Sequence, residues 1–174
     1  MKAIAVTDLV KAYRRPRPKR HWYDRGQYET FNAIDGVSFE IERGEMVGYL
    51  GPNGAGKSTT IKLLTGILTP TSGQVEVLGY IPYQQRYEYA YHIGVVLGQR
   101  ELLWWDLPIL DSLQLYAEIY ELTKEEFKNR LGLLSEVLGL EDLLHVPVRQ
   151  LSLGQKKRCE FAASLLHKPD IIFM

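Results

Sequence analysis

The segment MVGYLGPNGAGKSTT at 46–60 constrains this chain more than any other. Met46-Val47-Gly48-Tyr49-Leu50 is a continuous apolar run, the pattern of a strand buried on both faces as in parallel sheets. Gly51 to Gly56 then reads as a loop, and Lys57 to Leu68 continues with helical spacing. GPNGAGKS at 51–58 fits the spacing G-x-x-x-x-G-K-[ST]. The glycines let the backbone turn so that successive N–H groups point at phosphate oxygens, at the positive end of the following helix. Lys57 is placed to reach β- and γ-phosphates, and the Ser58 hydroxyl to ligate Mg²⁺. A chance match in a chain of this length is on the order of one in a few hundred. A strand before the loop and a helix after it supply the context the motif needs, so the sequence predicts a nucleotide site.

The rest of the chain organises around that loop. Val37, Phe39 and Ile41 alternate with Ser38 and Glu40, a half-exposed strand, and Gln74 to Leu78 alternates likewise. TPTSG at 69–73 ends the helix, and Ile93 to Leu97 reads as a short buried strand. Apolar residues recur at Leu110, Leu113, Tyr116, Ala117 and Tyr120, one face of a helix. Thr123 with Glu126, and Ser152 with Gln155, are capping boxes that open two further helices. The second runs through Leu166 and is stopped by Pro169, with Cys159, Ala162 and Leu166 on its apolar side. The order predicts an α/β fold with an all-helical stretch over 108–150.

Length and composition exclude several classes. The 174 residues suit one domain, and 21 Lys+Arg balance 21 Asp+Glu, so the whole chain is no polyanion binder. One cysteine rules out an internal disulfide and fits a reducing compartment. No apolar run reaches the roughly 18 residues of a membrane-spanning helix, and the start is too short for a signal peptide. A soluble, cytoplasmic chain is expected. Charge is uneven, however: residues 14–25 hold six Arg/Lys and one acidic residue. That stretch reads as a solvated, proline-stiffened loop, with anionic lipid headgroups or nucleic acid as the alternative contact. The five tyrosines of 80–91 read as packing.

Set side by side, these motifs closely resemble the ATP-binding subunits of ABC transporters, over nearly the whole chain. GPNGAGKSTTIKLLTGILTPTSGQVEVLGY is similar to that family's phosphate-loop region almost residue for residue. The resemblance implies a P-loop NTPase fold: a RecA-like parallel core with an antiparallel β subdomain and a helical subdomain. It also implies ATP and Mg²⁺, held by Gly51, Asn53, Gly54, Ala55, Gly56, Lys57, Ser58 and Thr59. Gln99 matches the glutamine that contacts Mg²⁺ and the attacking water. Leu151-Ser152-Leu153-Gly154-Gln155 matches the signature that caps the γ-phosphate of ATP on the opposite subunit, through Ser152, Gly154 and Gln155. Leu153 departs from the family's glycine there. Tyr13 sits where an aromatic stacks on adenine, with Tyr23 or Tyr28 as alternatives because a basic insertion over 14–30 follows it.

The same resemblance implies partners and a place of action. Trp104, Trp105, Asp106 and Pro108 mark a docking groove for a membrane subunit, most like that of prokaryotic ABC-2 type exporters. A second ATP-binding subunit completes a dimer at the inner face of the cell membrane, with no nucleic acid expected. The alternatives are a soluble ABC ATPase acting on nucleic acid or ribosomes, and a nucleotide binder without turnover. Ile171-Ile172-Phe173-Met174 looks like the apolar run of the second nucleotide motif, whose Asp and general-base Glu do not follow. On that reading the subunit is incomplete at its C-terminus, poorly stable alone and nearly inactive as an ATPase.

Overall fold

The computed structural model describes residues 2–17, 28–96 and 102–174. The chain divides into two compact units, Met1–Tyr89 and Ala90–Met174.

The first unit is built on three antiparallel strands in the order β2-β1-β3, with β1 Lys2–Pro16, β2 Tyr28–Glu42 and β3 Ser72–Val77. Ile4 pairs with Ile41, Val6 with Phe39 and Tyr13 with Phe31 across β1 and β2. On the other side Val6 pairs with Val75 and Ile4 with Val77. Ile4, Val6, Leu9, Ile34, Val75 and Val77 are buried, and Leu63 and Leu64 of helix α1 (Lys57–Leu64) are buried with them. Each such side chain contributes roughly 1.5–3 kcal/mol. The sequence reading had no strand at β1. It took the basic stretch after Tyr13 for a loop, whereas Arg14 to Pro16 continue β1 against Tyr28 to Thr30. Residues 18–25 of that stretch lie outside the described residues.

Two further expectations are corrected. Met46 to Leu50 forms no strand and is exposed along its length. A strand buried on both faces needs ladder partners, and within its own unit this segment has none among the described residues. The helix after the loop ends at Leu64 rather than Leu68. Gly66 takes φ 73° and its amide donates to Leu63 O at 3.1 Å, closing the last turn before the apolar pattern runs out.

In the second unit β4 (Ile93–Val95) and β5 (Ile171–Phe173) pair in parallel, Gly94 opposite Ile172. The helices α3 (Ile109–Ile119), α4 (Lys124–Leu138) and α5 (Leu153–Leu165) lie between the two strands in sequence, and a short helix α2 (Arg86–Ala90) spans the sequence boundary between the units. Both capping boxes are formed, each with the reciprocal side-chain and backbone bonds. Ile109, Leu113, Leu140, Val148, Cys159, Ala162 and Leu166 make one buried cluster. Burial pushes the Cys159 thiol up to about 11, so it is a packing residue. His167 is buried with its ring stacked on Tyr120, centroids 3.8 Å apart, and its Nε2 donates to Ile93 O at 2.9 Å.

Candidate functional site

The phosphate loop is shaped by glycines where side chains could not go. Gly54 and Gly56 take φ values of 84° and 86°, a region L-residues reach only at a cost. At Gly56 space is also forbidden: a Cβ there would lie 2.3 Å from Ala33 O of β2. β2 bulges at this point. Lys11 pairs with Ile34 and Ala12 with Asn32, leaving Ala33 as the extra residue. The loop is thus seated against a defect in the strand ladder.

Lys57 spans the loop from the first residue of α1. Its ammonium donates to Gly51 O at 2.5 Å and Pro52 O at 2.8 Å. Gly56, the N-cap of α1, offers no side-chain cap, and the first turn holds no acidic residue. The amides at this end and the helix dipole therefore favour an anion. Asn53, Gly54 and Ala55 are exposed along the loop, Ser58 is exposed in the first turn of α1, and Thr59 beside it is half-buried. Thr60 is buried, its amide donating to Gly56 O at 2.8 Å, which fixes the pitch of that turn. Gly51, Asn53, Gly54, Ala55 and Gly56 form the loop, and Lys57, Ser58 and Thr59 the first turn of α1 that follows it.

Tyr13 lies in the same unit, on β1. Its ring is stacked on Phe31, centroids 5.8 Å apart, with Lys11 Nζ 5.3 Å from its centroid. Tyr28 is exposed at the start of β2, and Tyr23 lies outside the described residues. The sequence reading missed Phe31, Lys11 and Arg15. Their grouping depends on strand register, which no local pattern carries.

Ser152, Gly154 and Gln155 stand at the start of α5 in the second unit. Gln155 N donates to the Ser152 hydroxyl at 3.3 Å, and Ser152 N donates to Gln155 Oε1 at 2.8 Å. This box uses the amides of the N-cap Ser152 and of Gln155, the third helical residue, and leaves those of Leu153 and Gly154 outside it. Leu153, at the position of the family's glycine, is 74% exposed, and a Cβ on Gly154 would meet nothing within 4 Å. No acidic residue lies in the first turn of α5. Gln99 lies outside the described residues.

Trp104, Trp105 and Asp106 lie near this helix end in the same unit. Trp104 and Trp105 are exposed, and the Lys156 ammonium sits 3.9 Å from the Trp105 ring centroid. Arg149 binds the Asp106 carboxylate at 2.7 Å and its amide donates to Trp105 O at 3.0 Å. Val148 N to Leu107 O, Ile109 N to Val146 O and Leu110 N to Leu144 O extend the seam. No helix among the described residues is long and apolar enough to cross a membrane.

Comparison with known proteins agrees with this geometry. The chain is 38% identical over 148 residues to the probable multidrug ABC transporter ATP-binding protein YbhF of Escherichia coli (strain K12), covering 85% of this chain and 25% of that protein. It is 36% identical over 144 residues to the ABC transporter ATP-binding protein NatA of Bacillus subtilis (strain 168), covering 83% of this chain and 58% of NatA. The chain thus spans from a quarter to somewhat over half the length of these curated relatives. Among solved structures, an ATP-binding subunit of an ABC transporter superposes with a TM-score of 0.78 at 28% identity, covering 98% of this chain and 64% of that one. The ATP-binding cassette MJ0796, in a dimeric post-hydrolysis state bound to ADP and Pi, superposes with a TM-score of 0.77 at 25% identity, covering 97% and 72%. Residues 34–174, which include the phosphate loop and the capped start of α5, match the ABC transporter family, and the chain belongs to that family.

Proposed function

We propose that this chain binds Mg·ATP and belongs to the subunit whose ATP hydrolysis powers export through a membrane transporter of the ABC-2 type. The observation that carries the reading is the phosphate loop itself, with Gly54 and Gly56 in left-handed conformations and Lys57 arched over it at the uncapped end of α1. The names of relatives point the same way: besides the probable multidrug protein YbhF, they include linearmycin and daunorubicin resistance ATP-binding proteins.

In this reading the loop amides and Lys57 hold the β- and γ-phosphates, and Tyr13 stacks on the base. Among the described residues no group of three or more His, Cys, Asp or Glu could hold a metal. The hydroxyl of Ser58 is a hard oxygen donor at the start of α1, and with Gln99 it would hold Mg²⁺. When bound, Mg²⁺ neutralises charge on the phosphate oxygens. Gln99 orients the attacking water. Ser152, Gly154 and Gln155 present the start of α5 to the γ-phosphate on a second subunit, and Trp104 with Trp105 receives the membrane subunit at the cytoplasmic face.

Titration of the chain with Mg·ATP tests the reading, with Lys57→Ala as the comparison. Saturable binding that Lys57→Ala abolishes is expected. Absence of binding to the wild-type chain, or equal binding by both, would overturn it. Co-purification of the full-length protein with a membrane subunit that stimulates its ATPase tests the transport half separately.

A further inference from the structure

The arginines that follow Tyr13 have no part in the nucleotide site, and the sheet shows where they stand. β3 accompanies β1 only from Ile4 to Val10, and Ala12 N still bonds Thr71 Oγ1 on that side at 3.0 Å. From Tyr13 to Pro16 the only strand paired with β1 among the described residues is β2, over Tyr28 to Phe31. At about 3.4 Å per residue this two-stranded ribbon runs roughly 13 Å past Ala12. Arg14, Arg15, Pro16 and Arg17 are all exposed along it, and Tyr28 is 70% exposed.

Positive charge is left over at this end. Arg15 bonds the Glu29 carboxylate, and Arg17 Nε lies 3.7 Å from its other oxygen, so two guanidinium groups share one acid. Both arginine side chains remain 62% exposed. Arg14 lies on the opposite face of the ribbon from Tyr13, as neighbouring residues of a strand must, and it has no ion pair among the described residues.

An exposed guanidinium is a planar fork of donors for phosphate oxygens, which lipid headgroups and polynucleotides both offer. Charge balance separates the two. Residues 14–25 hold six Arg/Lys and one acidic residue, whereas the remainder of the chain holds 15 Lys+Arg against 20 Asp+Glu. A polynucleotide that runs beyond the ribbon meets that acidic balance. A membrane met end-on is kept clear of the body of the unit, because the ribbon is longer than the Debye length of about 10 Å at 0.1 M salt. Tyr28, opposite Pro16 and diagonal to Arg14, adds a ring with a polar tip of the kind that settles at headgroup level.

We propose that the end of the β1–β2 ribbon, through Arg14, Arg15, Arg17 and Tyr28, docks on the headgroups of an anionic phospholipid membrane. The contact is direct and separate from any membrane subunit. It is also independent of the nucleotide reading, which titration with Mg·ATP tests by itself.

The test is co-sedimentation of the full chain with vesicles of mixed phosphatidylglycerol and phosphatidylcholine, and with vesicles of phosphatidylcholine alone. Saturable binding to the first and none to the second is expected. Replacing Arg14 and Arg17 together by alanine is expected to weaken binding more than tenfold, at about fivefold for each charge removed. Arg14→Lys with Arg17→Lys keeps the charges and is expected to bind within about threefold of wild type. Lys124→Ala with Lys128→Ala, both exposed on α4, is expected to change nothing. No binding to the anionic vesicles by the wild-type chain, or equal weakening by the two alanine pairs, would overturn the proposal. Tighter binding to a single-stranded oligonucleotide than to the anionic vesicles at the same salt would also overturn it.

Discussion

Replacing Gly56 by alanine isolates what the phosphate loop asks of its backbone. Two terms add. At φ 86° an L-residue is in the left-handed region, which costs about 1–2 kcal/mol. The new Cβ would also lie 2.3 Å from Ala33 O, where ordinary contact begins at 3.4 Å. A backbone carbonyl would have to retreat by about 1 Å, a strain comparable to overpacking a core at about 1–3 kcal/mol. The sum is about 3 kcal/mol. Gly54→Ala is the matched comparison, because its φ is 84° yet nothing lies within 4 Å of the added Cβ. It should lose only the first term, about 1–2 kcal/mol. Urea unfolding followed by circular dichroism reads the difference. Displacing the loop should also weaken Mg·ATP in Gly56→Ala by about 10- to 100-fold, the worth of one hydrogen bond to a charged group. Equal destabilisation by the two substitutions would refute the argument that the Ala33 bulge and Gly56 fit each other.

The two capping boxes permit a second comparison: Thr123→Ala and Ser152→Ala should each destabilise by about 1 kcal/mol, but only Ser152→Ala should weaken nucleotide-driven association of two chains in analytical ultracentrifugation. Burial lowers the pKa of His167, so its folded value lies below its unfolded one. The neutral ring is stable above the unfolded value, and that stability is lost as pH falls from about 6.5 through the folded value. Arg130, whose Nη1 bonds Leu166 O at 2.8 Å, adds to the penalty on a charged ring. His167→Asn should flatten the fall in urea midpoint between neutral and mildly acid pH; an unchanged slope would refute this assignment. Cys159, buried and raised to about 11, should react with an aromatic disulfide reagent at pH 8 only when urea unfolds the chain.

How far the sequence could be read depends on whether the determining contacts are local. The phosphate loop and both capping boxes lie within a few residues of chain, and their residues imposed the expected geometry. β1 escaped notice because its period is broken. Asp8 takes φ 47°, and the register shifts between Val6 and Leu9, so buried and exposed residues do not alternate cleanly. The stretch after Tyr13 looked like a loop because what extends it as strand is Arg15 meeting Glu29, a partner fourteen residues away. Phe31 became legible only with that hairpin in place. The apolar run at 46–50 misled in the opposite direction. Apolarity records what a segment can bury, while a strand also requires a neighbouring ladder.

The seam between residues 104–110 and 144–149 has a mechanical consequence. Its backbone bonds, from Arg149 N to Trp105 O through Leu110 N to Leu144 O, tie two distant stretches of chain side by side. Ser152, the cap of α5, follows Arg149 by three residues, with Leu151 between them buried. Hydrogen bonds tolerate only a few tenths of an ångström before weakening, and three residues provide little slack. The seam therefore keeps the backbone of Trp105 one hydrogen bond and three residues of chain from the cap of α5.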